Sequence, residues 1–217
     1  MLKTFKYGWY LVVFTTLVGI IAAFAVDPET AVTIHWNSAG VADDTAPAYI
    51  AFFLIPLSQI FVLLVFSALK YLEPRQENLK ASIKAVKAMA LGIIAILILA
   101  QATIIASAFG MPIPGPKLTI AGVGLLVAVM GNYFGKLKSS FFIGIRTPWT
   151  LSSESVWLKT HRLGGRLFVV AGALVVLAAP FINIEALALL MLTTVLPAAL
   201  ISVIYSYFMW RKEQPNQ

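Results

Sequence analysis

Six stretches of the chain are apolar on every face and run close to the roughly 20 residues that a helix needs to cross a hydrocarbon core of about 30 Å. They are Gly8 to Val26, Tyr49 to Leu69, Met89 to Phe109, Leu118 to Phe134, Leu167 to Ile182 and Ala186 to Trp210. The fourth and fifth are short, and the last is long enough to tilt. The pattern predicts an all-α, polytopic membrane protein, a bundle of six transmembrane helices. A transmembrane barrel would instead show strands of about ten residues with alternating polarity, whereas LGIIAILILAQATIIASAF has no such alternation. Lys3 and Lys6 ahead of the first run resemble the start of a signal peptide, but the run continues to Val26 without a clean small-residue cleavage site. It is expected to be retained as the first crossing.

Composition agrees: 60% of the 217 residues are hydrophobic and 12% are charged, far too apolar for a soluble domain of this length. Charge then fixes an expected orientation, because basic residues in short loops mark the cytoplasmic side. Of the 16 Lys and Arg residues, all but Lys117 fall on alternate segments. Lys3 and Lys6 precede the first crossing; Lys70, Arg75, Lys80, Lys84 and Lys87 follow the second. Lys136, Lys138, Arg146, Lys159, Arg162 and Arg166 follow the fourth, and Arg211 and Lys212 follow the sixth. The opposite face holds Asp27, Glu29, Asp43, Asp44 and Glu185. A multi-pass protein of the cytoplasmic (inner) membrane with both termini cytoplasmic is expected. The net charge of +7 then reflects orientation and contact with anionic membrane lipids rather than direct nucleic-acid binding. The chain has no cysteine, so thiolate metal sites, disulfides and cysteine nucleophiles are excluded.

Two segments carry enough polar content for specific chemistry. The outer one, residues 27–48, reads DPETAVTIHWNSAGVADDTAPA. Asn37, Ser38 and Gly40 supply turn chemistry, and Trp36 suits the headgroup level. His35 with Asp43 and Asp44 offers a nitrogen and several oxygens to a cation. A structural zinc takes more His or Cys than this, so no metal is expected and His35 with Asp43 is a weak candidate only. No cofactor is expected either. The inner segment, residues 131–166, is long and studded with Phe141, Phe142, Ile143, Trp149 and Trp157, too apolar to float free in water. With Pro148 in a first helical turn, Thr147 as its N-cap and Gly164-Gly165 at the far end, residues 148–163 read as an interfacial helix. Its basic stripe of Lys159, Arg162 and Arg166 serves either lipid anchoring or docking of a cytosolic partner. Gly131 and Gly135, four apart, suit close helix packing.

No ionisable residue lies in the middle of any apolar run, which argues against a proton-coupled pump. Gln101 is the most unusual polar group there, and one interhelical hydrogen bond is its expected use. The two histidines, His35 and His161, are assigned to opposite faces and cannot share a metal or proton relay. No catalytic residues are expected, and a metal-dependent membrane enzyme or a transporter for lipid-like or peptide substrates is kept as the alternative.

The inner string is more specific than these arguments. Gly131-Asn132-Tyr133, Gly135-Lys136-Leu137, Gly144-Ile145-Arg146-Thr147-Pro148-Trp149-Thr150-Leu151, Trp157 and Thr160-His161-Arg162 closely resemble the signature of the SdpI family of bacterial membrane immunity proteins. The outer string IHWNSAGVADD, with His35, Trp36, Asn37, Gly40 and Asp43, resembles a small domain of unknown function that often precedes it. That pattern carries a proline shortly before the histidine, where this chain has Ala31-Val32-Thr33-Ile34. The resemblance implies protection against a secreted toxic peptide and, in the best-known system, recruitment of a cytosolic repressor. It also implies a division into residues 1–75, a helical pair with its outer loop, and residues 76–217, a four-helix region holding inner loop 135–166. The outer binding candidates are then His35, Trp36, Asn37, Gly40, Asp43 and Asp44. The inner ones are Asn132, Arg146, Pro148, Trp149, Trp157, Thr160, His161 and Arg162.

Overall fold

A computed structural model describes residues 5–214; Lys3, counted above among the basic residues, lies outside them. Eight helices and one hairpin follow in order: α1 (Lys6–Ala25), β1 (Ala31–Trp36), β2 (Ala42–Pro47), α2 (Ala48–Leu72), α3 (Gln76–Ala81), α4 (Ile83–Ala108), α5 (Gly115–Phe134), α6 (Pro148–Ser152), α7 (Glu154–Ala178) and α8 (Ile184–Glu213). Helices α1, α2, α4, α5, α7 and α8 are long and apolar enough to cross a membrane. No more than 33% of any of their apolar windows is buried inside the protein. Phe24, Leu57, Phe61, Leu177 and Phe181 project outward instead. Apolar surface on this scale is compatible only with lipid as the surrounding solvent. The protein is a multi-pass membrane protein.

Several hydroxyls within the spans are satisfied by their own helix. Thr15, Thr16, Thr194 and Ser202 return their hydroxyls to carbonyls four residues back. Gln101 donates Nε2–H across to the Phe52 carbonyl of α2 at 3.1 Å, a bond available only because Gly19 of α1 leaves room beside both groups.

Two groups of helices make the bundle: α1, α2 and α4 pack together, α5, α7 and α8 pack together, and α4 against α5 joins them. The tightest seam is α5 on α7. A Cβ on Gly131 would stand 2.7 Å from the Gly165 carbonyl oxygen, and one on Gly165 would stand 2.6 Å from that of Gly131. One heptad along each helix, Gly172 meets the Gly124 carbonyl and the Ala128 amide. Small residues repeated at this interval bring the two backbones into contact, where dispersion and weak C–H···O contacts replace the hydrophobic drive that lipid cannot supply. Gly135 plays no such part: it is exposed, and a Cβ there would be 3.7 Å from the Arg162 Cγ, an ordinary contact.

The structure redraws one expected element. The short helix does begin at Pro148 with Thr147 capping it through a reciprocal bond with Thr150, but it ends at Ser152. Ser153 is extended and caps α7 by accepting the Val156 amide at 3.2 Å. Residues 154–163 therefore belong to the fifth crossing, not to an interfacial helix. Gly164 and Gly165, expected to end a helix, lie inside α7, because their missing side chains serve the approach of α5, Ile145 and Ser202. The hairpin is the other addition: β1 pairs antiparallel with β2, irregular around His35, where the sequence suggested only a capped turn.

Gly131→Ala is expected to destabilise the protein by about 1–3 kcal/mol, since the opposing atoms are backbone and cannot yield, whereas Gly135→Ala should stay within about 0.5 kcal/mol. Thermal unfolding in detergent checks this; equal effects at the two positions would refute the assignment of the seam.

Candidate functional site

Polar chemistry concentrates at the two ends of the bundle. At one end the hairpin folds over α2 and α4. Val32 is buried, with Trp36 and Ile34 packed beside it against the cluster of Ala22, Ala48, Ala51, Phe52 and Ile104. Asn37 organises the turn: its Oδ1 accepts the amides of Ala39 and Val41, and its carbonyl accepts that of Gly40 at 2.9 Å. Gly40 has φ +76° and lies against Ile184 at the start of α8, so both its conformation and its contact exclude a side chain. The hairpin tip thereby touches the last helix pair. Beneath it lies a cleft of about 370 Å³. His35, Trp36, Asn37 and Ser38 form its polar and aromatic wall; Ile55, Ile104, Ile120 and Ile184 supply most of the apolar lining, with Thr103 and Thr119 among them. His35 Nδ1 meets Asp43 Oδ1 at 2.6 Å with both side chains exposed, and Asp44 accepts the Thr45 amide. The structure thus brings His35 and Asp43 together as a pair. Among the described residues no three His, Cys, Asp or Glu side chains gather into a metal-binding group.

At the opposite end, residues 135–147 tuck beneath the bundle, anchored by a residue the sequence reading did not single out. Glu73, the residue after α2, is 1% exposed. Its carboxylate accepts the Ser140 hydroxyl at 2.5 Å, the Phe141 amide at 3.0 Å and the Arg75 amide at 2.9 Å. Burial by itself pushes the carboxyl up, but these donors outweigh it and hold the group below its ordinary value. Arg75 donates to Ser139 and, at 3.0 Å, to the Leu151 carbonyl, with its guanidinium 4.8 Å above the Phe141 ring. Asn78 donates to the Ser139 carbonyl at 2.8 Å, and Ser82 accepts the Lys138 amide at 3.0 Å. One signal in the sequence pointed here: a carboxylate set directly before Pro74, at the end of a crossing and at the head of the most basic short loop.

The expected inner residues divide by exposure. Trp157 and His161 are fully buried. Trp157 donates Nε1–H to the Leu137 carbonyl at 2.8 Å and stacks on His161 with ring centroids 3.9 Å apart. His161 Nδ1 faces the Trp157 carbonyl and so carries the proton; Nε2 accepts the Ile145 amide at 2.8 Å. Both ring nitrogens are committed, and the imidazole is neutral. Gly144, at φ +108°, passes directly over this pair: a Cβ would meet His161 Nε2 and stand 2.9 Å from the Trp157 ring. Thr150 accepts the Thr147 amide and donates to the Ile145 carbonyl. Trp149 donates to Ser206 of α8, and its ring meets Tyr207 edge-on. Thr160 is buried with its hydroxyl lacking a partner. Pro148, Asn132, Arg146 and Arg162 are exposed, and Arg146 reaches back to the Phe141 carbonyl at 2.9 Å. Most of this string therefore builds a latch across α2, α4, α5, α7 and α8, while a minority faces outward, Arg146 beside Phe141 and Asn132 with Arg162 along a groove between α5 and α7.

Comparison with known proteins bears on this latch. Residues 136–206 match the model of the SdpI/YfhL protein family. Over 91 residues the chain is 35% identical to the immunity protein SdpI of Bacillus subtilis (strain 168), a match covering 42% of this chain and 44% of that protein. The chain thus spans less than half the length of this curated relative. No solved structure matches.

Because the Glu73 carboxyl sits below its usual value of 4.5 when folded, its contribution to stability is complete above that pH and is lost as pH falls through the lower folded value. Melting temperature measured from pH 7 to pH 3 should show this acid loss in the native protein. Glu73→Gln should remove it and cost about 1–3 kcal/mol at neutral pH by leaving buried donors unpaired. An unchanged acid profile in that variant would contradict the assignment.

Proposed function

We propose that this chain, whose residues 136–206 match the model of the SdpI/YfhL protein family, is a membrane immunity protein protecting its cell from a secreted toxic peptide. The observation that carries this reading beyond the relative's name is the cleft beneath the hairpin. Its apolar floor and its wall of His35, Trp36, Asn37 and Ser38 suit an apolar or aromatic side chain of a peptide arriving at the membrane surface. Asp43 and Asp44, exposed on β2, suit a cationic flank of the same peptide.

The orientation that goes with this role places the hairpin outside and both termini in the cytoplasm, by the distribution of basic residues. Residues 1–75 then contribute the hairpin wall of the outer cleft together with Glu73 and Arg75, the anchors of the inner latch, and residues 76–217 contribute the rest of the cleft lining and the latched segment. A physical connection between them runs along α5. Near its start Pro116, Thr119 and Ile120 line the outer cleft, and near its end Gly131 touches Gly165 of α7, four residues from His161. A peptide that binds two packings of the α5–α7 seam with different affinity shifts the balance between them. The exposed inner residues, Arg146 beside Phe141 and Asn132 with Arg162 along α5 and α7, are the place where a cytosolic repressor would be recruited. The buried Trp157 and His161 act in this scheme by holding that surface in place.

Expressed in a sensitive cell, the native chain should raise tolerance to the toxin. Trp36→Ala should lower that tolerance by about tenfold or more, as expected for an aromatic anchor, and Asp43→Lys with Asp44→Lys should lower it without altering membrane abundance. Unchanged tolerance in both variants would remove the hairpin from the reading. Arg146→Ala should instead diminish capture of a cytosolic repressor while tolerance persists.

A further inference from the structure

At the basic end, on the other side of α3 from the latched segment, a second cleft of about 480 Å³ opens between the start of α1, the end of α2, the short helix α3 and the start of α4. Phe66, Leu79, Ile83 and Val86 line it, continuous with the core cluster that contains Leu79 and Val86. Its remaining lining includes three lysines that converge from three different helices: Lys70 from α2, Lys80 from α3 and Lys87 from α4. Lys80 is paired with Glu77 at 2.7 Å, and Lys70 lies 4.4 Å over the Tyr71 ring. Three cations against one carboxylate leave the rim net positive.

The depth of this cleft matters as much as its charge. The apolar run of α2 ends at Leu69, Lys70 follows at once, and exposed Tyr71 and Leu72 complete the helix. That order, apolar and then cationic with an aromatic ring, marks the level where acyl chains give way to headgroups. The cleft straddles that boundary, greasy below and cationic above. We propose that it is a binding site for one anionic glycerophospholipid, its first acyl carbons lying against Phe66, Leu79, Ile83 and Val86 and its phosphate meeting Lys70, Lys80 and Lys87. A lipid held there bridges α1, α2, α3 and α4, and so braces the loop that carries Glu73.

The test uses the full chain in neutral detergent, with phosphatidylglycerol and phosphatidylcholine of identical acyl chains as probes, read as retained adducts in native mass spectrometry and as the shift in melting temperature. The native protein should retain phosphatidylglycerol in preference to phosphatidylcholine. Lys70→Gln, Lys80→Gln and Lys87→Gln together should reduce that preference tenfold or more, given an effect of roughly fivefold per lysine near an anionic surface. Lys136→Gln with Lys138→Gln, which removes charge from the same end of the bundle, should leave it intact. Equal losses in the two sets would mean diffuse attraction to the basic end and would overturn the site. Leu79→Trp fills the cleft while keeping every lysine; a folded Leu79→Trp protein that still retains phosphatidylglycerol would also overturn it.

Discussion

A carboxylate carrying full charge has no business beneath a membrane bundle unless its partners are fixed in advance, and Glu73 shows what that requirement does to a chain. Its three donors come from its own loop and from residues 140 and 141, far along the sequence. Once those bonds form, the segment after α5 cannot leave the bundle without stripping a buried charge, an outcome costing several kcal/mol. Leu137, Gly144 and Ile145 are thereby brought against Trp157 and His161. The amide and carbonyl groups of that segment then find partners in Trp157, His161 and Thr150. Such partners are what make the backbone of an irregular, buried loop tolerable.

The two halves of the bundle are held by different means, suited to their surroundings. Where water is excluded on all sides, α5 and α7 meet through glycines, because lipid tails solvate leucine as well as another helix does and only close approach gains anything. At the basic end, where water is at hand for the unfolded alternative, side-chain hydrogen bonds and stacked rings do the holding. The hairpin end uses a third means, burial of Val32 and Trp36 against the helix tops. Helix α5 takes part in the first two, through Gly131 and through Phe134 against His161, and lines the cleft beside the third. For that reason it is the natural path for any influence of one face on the other.

The family string illustrates how a sequence signature can be read for the wrong kind of importance. Trp149, Trp157, Thr160 and His161 look like recognition residues when set in a loop, since aromatic and histidine side chains in water generally serve binding. In the structure Trp157 and His161 are a stacked, hydrogen-bonded core pair, and Trp149 is pinned to α8 through Ser206 and Tyr207. Gly164 and Gly165 show why, lying inside α7 rather than at a helix end. Two adjacent glycines are a common helix end in water, yet in a membrane bundle they equally mark a place where another backbone comes close. No local rule distinguishes the two uses.

Hydrophobic runs, their lengths and the segregation of cations are properties of single segments against a solvent, so the sequence alone determined six crossings and which loops share a face. It also determined the cap at Thr147 and the turn at Asn37 and Gly40, since both depend on residues within a few positions of one another. The partners of Glu73, the Gly131–Gly165 contact, the pairing of β1 with β2 and the cleft beneath them were decided only by the tertiary structure. Each joins groups distant along the chain, and the free energy of such a contact exists only once both sides are desolvated together.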